Sequence, residues 1–150
     1  DYAGRHFVYG LCESAREQIR NAHDVANPGC FATAIQLALL PLASSGLIND
    51  EVHVTAITGA TGAGKKPGET THFSYRTDNI SIYKLFTHQH LAEIRQNLVR
   101  VSQAKEGEWT PVVNFVPLRG DFARGIFASV YTKAVEGMSL EDYRKLYEQY

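Results

Sequence analysis

Apolar and polar positions along this chain alternate with two different periods, separated by runs of turn residues. The helical period sets Glu13 to Ala22, where Ala15, Ile19 and Ala22 share one face of a short helix. From Phe31 the chain reads FATAIQLALLPLASSG, almost wholly apolar and rich in Ala and Leu, and it stops near Ser44, Ser45 and Gly46. Such a run predicts a helix covered on most sides, with Pro41 near its end. His90 to Ala104 is amphipathic, with Leu91, Ile94, Leu98 and Val101 as its stripe. Ser139 opens a last helix, and Asp142 at its third position makes a partial capping box. The period of two sets Glu51 to Thr58, with Val52, Val54, Ala56 and Thr58 opposite His53, Thr55 and Ile57. Trp109 to Pro117 and Gly125 to Ala134 are two more predicted strands. His72 to Arg76 and Ile80 to Phe86 are another two, around Thr77-Asp78-Asn79. Arg5 to Tyr9 is a short strand or loop, and Asp24 to Ala26 lead extended into the turn Asn27-Pro28-Gly29. The sum predicts an α+β fold, a mixed, mainly antiparallel sheet with helices packed on one face.

Composition narrows the function classes. At 150 residues the chain is long enough for one domain with a real core. Hydrophobic residues make up 44% and charged residues 21%, as in ordinary globular proteins. A formal charge of -1 supplies no basic field, so nucleic acid is not an expected partner. The longest apolar run, Ala38 to Ala43, is too short for a bilayer and holds a proline. No secretory pattern opens the chain, so a cytoplasmic protein without a membrane partner is expected. Two cysteines are too few for a disulfide framework. No Met precedes Asp1 and a charged helical pattern still runs at Tyr150, so residues 1–150 are expected to be one domain of a larger protein.

Cys30 is the first candidate for chemistry. It follows the turn Asn27-Pro28-Gly29 and feeds directly into the apolar helix. Backbone N–H groups at a helix start are unpaired, and the dipole there favours the thiolate, which is the attacking form. The same N–H groups suit a phosphate or an oxyanion. A buried structural thiol fits this position too. A nucleophile needs a proton partner, and histidine is the usual one. His90, at a helix start, is the first candidate and His88 the second; they share a face only if the segment is a strand. A His-x-His metal site lacks an evident third ligand, so no metal is expected. His6, His23, His53 and His72 are expected on the surface or in strands. Arg124 is a candidate clamp for a carboxylate or phosphate, with Arg119, Arg76 and Lys84 behind it. Asn27, beside the turn, is a further substrate-binding candidate. Gln36 is a polar residue in an apolar helix and needs a partner, either the substrate or the core. The loop Gly59 to Lys65 matches the start of a phosphate-binding loop, but Lys66 and Pro67 replace its hydroxyl residue and its helix. Nucleotide hydrolysis is therefore not expected.

The run Val25-Ala26-Asn27-Pro28-Gly29-Cys30-Phe31-Ala32-Thr33-Ala34, continuing through Leu37 and Leu40-Pro41-Leu42, resembles the active-site signature of N-acetyl-gamma-glutamyl-phosphate reductases. Gly59 to Lys65 resembles that family's small-residue loop. Asn79, Tyr83-Lys84, His88-Gln89-His90 and Glu93-Ile94 resemble its Asn…Tyr-Lys…His-x-His…Glu-Ile series, and Arg124-Gly125-Ile126 its Arg-Gly-Ile segment. The resemblance implies a substrate and dimerisation domain like the C-terminal domain of glyceraldehyde-3-phosphate-dehydrogenase-like enzymes. It implies an acyl phosphate reduced to a semialdehyde in arginine biosynthesis, through a thioester on Cys30. NADP would be held mainly by a domain absent from this chain, with Gly62 and Gly64 as this chain's contacts to it, and the protein would be a homodimer or homotetramer.

One departure bears on the substrate. Many members carry Pro-His-Leu-Val-Pro where this chain has Pro117-Leu118-Arg119-Gly120-Asp121. An arginine thus replaces a histidine beside the expected pocket, which suggests a different N-acyl group, one with its own carboxylate. Three other readings stand beside the reductase: an aspartate-semialdehyde dehydrogenase, a cysteine hydrolase built on Cys30 and His90, and a dimerisation module with an incidental cysteine.

Overall fold

The computed structural model describes residues 2–105 and 107–150. In chain order its elements are β1 (Val8–Tyr9), α1 (Cys12–Arg20), β2 (Val25–Ala26), α2 (Cys30–Ser44) and β3 (Val52–Thr58). Then follow α3 (Phe73–Arg76), β4 (Ser81–Ile82), α4 (His90–Ser102), β5 (Val113–Arg119), β6 (Ile126–Tyr131) and α5 (Leu140–Tyr147). Short 3-10 turns lie at Ala60–Ala63 and Glu69–Thr71. The main sheet has the order β4-β5-β3-β6, and β1 pairs with β2 in a separate ribbon. β3 runs parallel to β5 and antiparallel to β6, and β4 is antiparallel to β5, so the sheet is mixed and mainly antiparallel.

The core lies on one face of this sheet. Val52, Val54 and Ala56 of β3 and Phe115 of β5 point into it, as the alternation in β3 predicts. Phe31, Ile35 and Leu39 of α2 and Leu91, Ile94 and Leu98 of α4 cover them. Each of these large side chains contributes about 1.5–3 kcal/mol by leaving water. Side chains on the other face of β3 are less buried, with His53 and Ile57 intermediate and Thr55 exposed. Register aligns Ile82, Leu118, Ile57 and Phe127 in one row across all four strands, and Phe127 is 68% exposed.

Three predicted strands come out differently. His72 to Arg76 is not a strand but the helical turn α3, because the His72 side chain caps Ser74 N–H and buried Arg76 bonds backbone carbonyls around it. Ile80 to Phe86 shrinks to β4, since Lys84 and Phe86 take left-handed backbone (φ 46° and 55°) that no strand tolerates. The strand predicted to end at Pro117 starts later and runs on to Arg119, with Tyr83 N–H bonded to Pro117 O. The last helix has both halves of its capping box, Ser139 and Asp142.

Candidate active site

Cys30 is the first residue of α2, and Gly29 is its N-cap in extended backbone. The Cys30 side chain is exposed, and it opens on a cavity of about 360 Å³. His88, His90, Lys84 and Arg119 line the same cavity, with Tyr83, Gln89, Thr58 and Gly62. The hydrophobic stripe of α4 packs that helix on α2 and brings both N-termini to one end of the core. There, a Cβ on Gly29 would overlap the His90 ring and stand 2.7 Å from Glu93 Oε1. Glycine is therefore required for close approach between helices.

The two histidines have different surroundings. His88 is 5% exposed, with the rings of Phe31, Tyr83 and Phe115 5.4–5.8 Å from its own. Its Nδ1 accepts the backbone N–H of His90 (3.2 Å), so in the neutral ring the proton sits on Nε2. Burial, then His90 and Lys84, push its pKa down to about 4. His90 is also held below the usual range, chiefly by burial, with Glu93 opposing that shift. Its Nε2 lies 3.9 Å from Glu93 Oε1, and its Nδ1 has no hydrogen-bond partner among the described residues. Both rings are thus neutral at neutral pH. His90 lies against Gly29, the residue before Cys30, and both rings line the cavity with that thiol.

The cavity's positive side comes from Arg119 and Lys84. The Arg119 guanidinium stands 4.7 Å over the Tyr83 ring, and its buried Nε has no partner among the described residues. Its Nη1 donates to Thr70 Oγ1 at 3.3 Å, and an Arg76 N–H holds its carbonyl. Lys84 Nζ donates to Gln89 Oε1 at 2.7 Å. An anion in this cavity would meet both cations.

The cavity thus unites Cys30, His88, His90, Lys84, Arg119 and Gly62, but not every predicted site residue. Gln36 is fully buried on α2: it donates to Tyr9 Oη (2.7 Å) and Ala32 O (3.0 Å) and accepts from Asn97 (2.6 Å). Its polar groups are used within the core, so it does not reach the cavity. Arg124 is exposed and off the cavity lining; its neighbours Phe122, Ala123 and Gly125 accept three backbone hydrogen bonds of 2.9–3.0 Å from the 59–61 loop. Asn27 and Gly64 are exposed and also off its lining. Sequence reasoning gave no role to Tyr83, which shapes the cavity, or to Glu93. Glu93 Oε2 accepts from Gly29 N–H (3.2 Å) and from Tyr9 Oη (2.9 Å). The signal for Glu93 was its place one helical turn after His90.

Residues 30–150 match the family described as semialdehyde dehydrogenase, dimerisation domain. An N-acetyl-gamma-glutamyl-phosphate reductase of Parabacteroides distasonis is 54% identical over 144 residues, 96% of this chain and 43% of the relative. One of Christiangramia forsetii is 53% identical over 144 residues, with the same shares. The chain thus spans less than half the length of the curated relatives it matches. Among solved structures, an aspartate semialdehyde dehydrogenase from Francisella tularensis superposes with a TM-score of 0.69 at 13% identity, covering 95% of this chain and 51% of that one. Aspartate semialdehyde dehydrogenase II of Vibrio cholerae gives 0.66 at 18% identity, covering 95% and 48%. At such identities the likeness establishes the fold.

Proposed function

Because the chain belongs to the semialdehyde dehydrogenase dimerisation-domain family, we propose that it is the substrate-binding and dimerisation domain of a reductase converting N-acetyl-gamma-glutamyl phosphate to its semialdehyde. The observation that carries this reading is the meeting of Cys30, at a helix start, with a neutral His90 in a cavity walled by Arg119 and Lys84. The high identity to reductases of that name supports the substrate. On this reading the protein works in arginine biosynthesis, in the cytoplasm, with NADP, and as a dimer or tetramer assembled through the open face of the sheet.

Each step follows from the groups present. His90 takes the thiol proton as Cys30 Sγ bonds to the acyl carbon. The carbon–oxygen bond to phosphate breaks, and phosphate leaves with the electron pair, giving a thioester. The α2 N-terminus and the cations Arg119 and Lys84 stabilise the charge that develops on the departing group. The segment from Gly59 to Ala63 bears nothing larger than threonine, and Gly62 lines the cavity, which supports Gly62 as this chain's contact to the cofactor. A nicotinamide cofactor, when bound, supplies the hydride that reduces the thioester carbon. His90 returns its proton to the oxyanion left on that carbon, and collapse of the hemithioacetal breaks the carbon–sulfur bond to free the aldehyde and the thiol. Arg119 faces the bound acyl phosphate, where it would hold a carboxylate on the substrate or on its N-acyl group.

The test uses the intact protein that carries this chain, assayed for NADPH oxidation with the acyl phosphate. Cys30→Ser should abolish turnover, and His90→Ala should lower kcat by about 10²–10⁴-fold. Turnover of Cys30→Ser within tenfold of the unsubstituted protein would overturn the proposal.

A further inference from the structure

Behind the cavity, polar groups from three elements, β1, α2 and α4, meet in one chain of hydrogen bonds. Asn97 Nδ2 donates to Gln36 Oε1 (2.6 Å), Gln36 Nε2 donates to Tyr9 Oη (2.7 Å), and Tyr9 Oη donates to Glu93 Oε2 (2.9 Å). The same Oε2 accepts the N–H of Gly29, the residue before the nucleophile (3.2 Å). One oxygen of Glu93 is thereby fixed twice. The other, Oε1, stands 3.9 Å from His90 Nε2, outside hydrogen-bond distance. An unrestrained carboxylate beside an imidazole would close that gap and hold the ring as imidazolium. An imidazolium cannot accept the thiol proton.

We propose that Tyr9 is a positioning residue for the acid–base step: it clamps Glu93 on the nucleophile turn and so keeps the carboxylate from closing into a short ion pair with His90. This rests on the reading of His90 as the group that takes the thiol proton. The clamp belongs to the fold. Gln36 and Asn97 are buried and orient the tyrosine, whose hydroxyl is left with one proton to give, and Glu93 receives it. The charged and titratable groups around His90 are Glu93 on its own helix, Lys84 and His88 from the preceding loop, Cys30 at the start of α2, and Arg119 across the cavity. Of these, Glu93 alone is held by Tyr9.

The experiment is a pH titration of the His90 ring by NMR in the intact protein labelled with 13C-histidine, assigned by His90→Ala. Three chains are compared with the unsubstituted one: Tyr9→Phe, Glu93→Gln, and the two together. Tyr9→Phe frees the carboxylate, so the His90 midpoint should rise by about half a unit or more, while Glu93→Gln should lower it. The double variant should match Glu93→Gln, because Tyr9 acts only through that carboxylate. A tyrosine that merely packs would cost stability and leave the His90 midpoint unmoved. That result, a fall in Tyr9→Phe, or a double variant that still differs from Glu93→Gln would each overturn the inference. Should Tyr9→Phe fold poorly, Gln36→Leu removes the tyrosine's buried partner instead and should move the midpoint in the same upward direction. The titration needs neither substrate nor cofactor, so its outcome is read separately from the turnover of Cys30→Ser.

Discussion

At neutral pH His88 carries no charge, and its surroundings are the cause. Three aromatic rings enclose it, its Nδ1 is committed to a backbone N–H, and burial holds its pKa near 4. An unfolded histidine titrates near 6.5. Between those values the unfolded chain binds more protons than the folded one, so stability is fully present above 6.5 and declines as the pH falls toward 4. The loss is on the order of 3 kcal/mol for this one group. Urea midpoints measured at pH 7 and pH 4.5 should therefore separate widely, and His88→Gln should bring them closer together. Equal separation in both proteins would mean that other groups set the acid limit. At the same scale, Arg119 lines the cavity that holds Cys30, with a buried Nε unbonded among the described residues. Arg119→Leu should raise KM for the acyl phosphate by about tenfold or more, as loss of a charge-assisted contact implies, and steady-state kinetics on the intact protein will show it.

Helices α2 and α4 meet at their N-termini, and the site depends on how closely they approach. Gly29→Ala would push a methyl group into His90 and Glu93, displacing the acid–base ring from the thiol. A shift of about 1 Å there is enough to cost roughly 10²-fold in kcat, with the fold retained by the core beneath. Circular dichroism and kinetics together will separate that outcome from unfolding. These two helices were legible in the chain, α2 as a long apolar run rich in Ala and Leu and α4 by its amphipathic stripe. β3 was legible too: Val52, Val54 and Ala56 alternate cleanly and all three are buried. The segment His72 to Arg76 was not. Over five residues a strand and a helical turn have nearly the same pattern, and the bonds from Arg76 to Thr70, Ser81 and the Arg119 carbonyl decided between them. The turn that presents Cys30 could be read from Pro28 and Gly29. The burial of Gln36 could not, because its partners Tyr9 and Asn97 are far away in sequence. Arg124 was a candidate clamp because its residue type suits anions; its exposed side chain lies outside the lining of the Cys30 cavity.

For the whole molecule, the exposed apolar row on the sheet is the surface to test for assembly. The apolar row Ile82, Leu118, Ile57 and Phe127 crosses it from edge to edge, with Ile82 56% and Phe127 68% exposed. A dimerisation domain needs such a surface. Phe127→Glu should shift the sedimentation coefficient of the intact protein toward the single-chain value, and an unchanged coefficient would move the interface elsewhere. The parallel pairing of β3 with β5 has a different consequence, which concerns time. Val52 meets Val113, and the pairing ends at Thr58 with Arg119, so α4 with His90 and Glu93 lies on the connection between the two strands. Contacts this distant along the chain form late. As the polypeptide emerges from the ribosome, Cys30 is made early, but the cavity gains Arg119 only when β5 has been added. Until then the nascent chain lacks the Arg119 wall of the cavity.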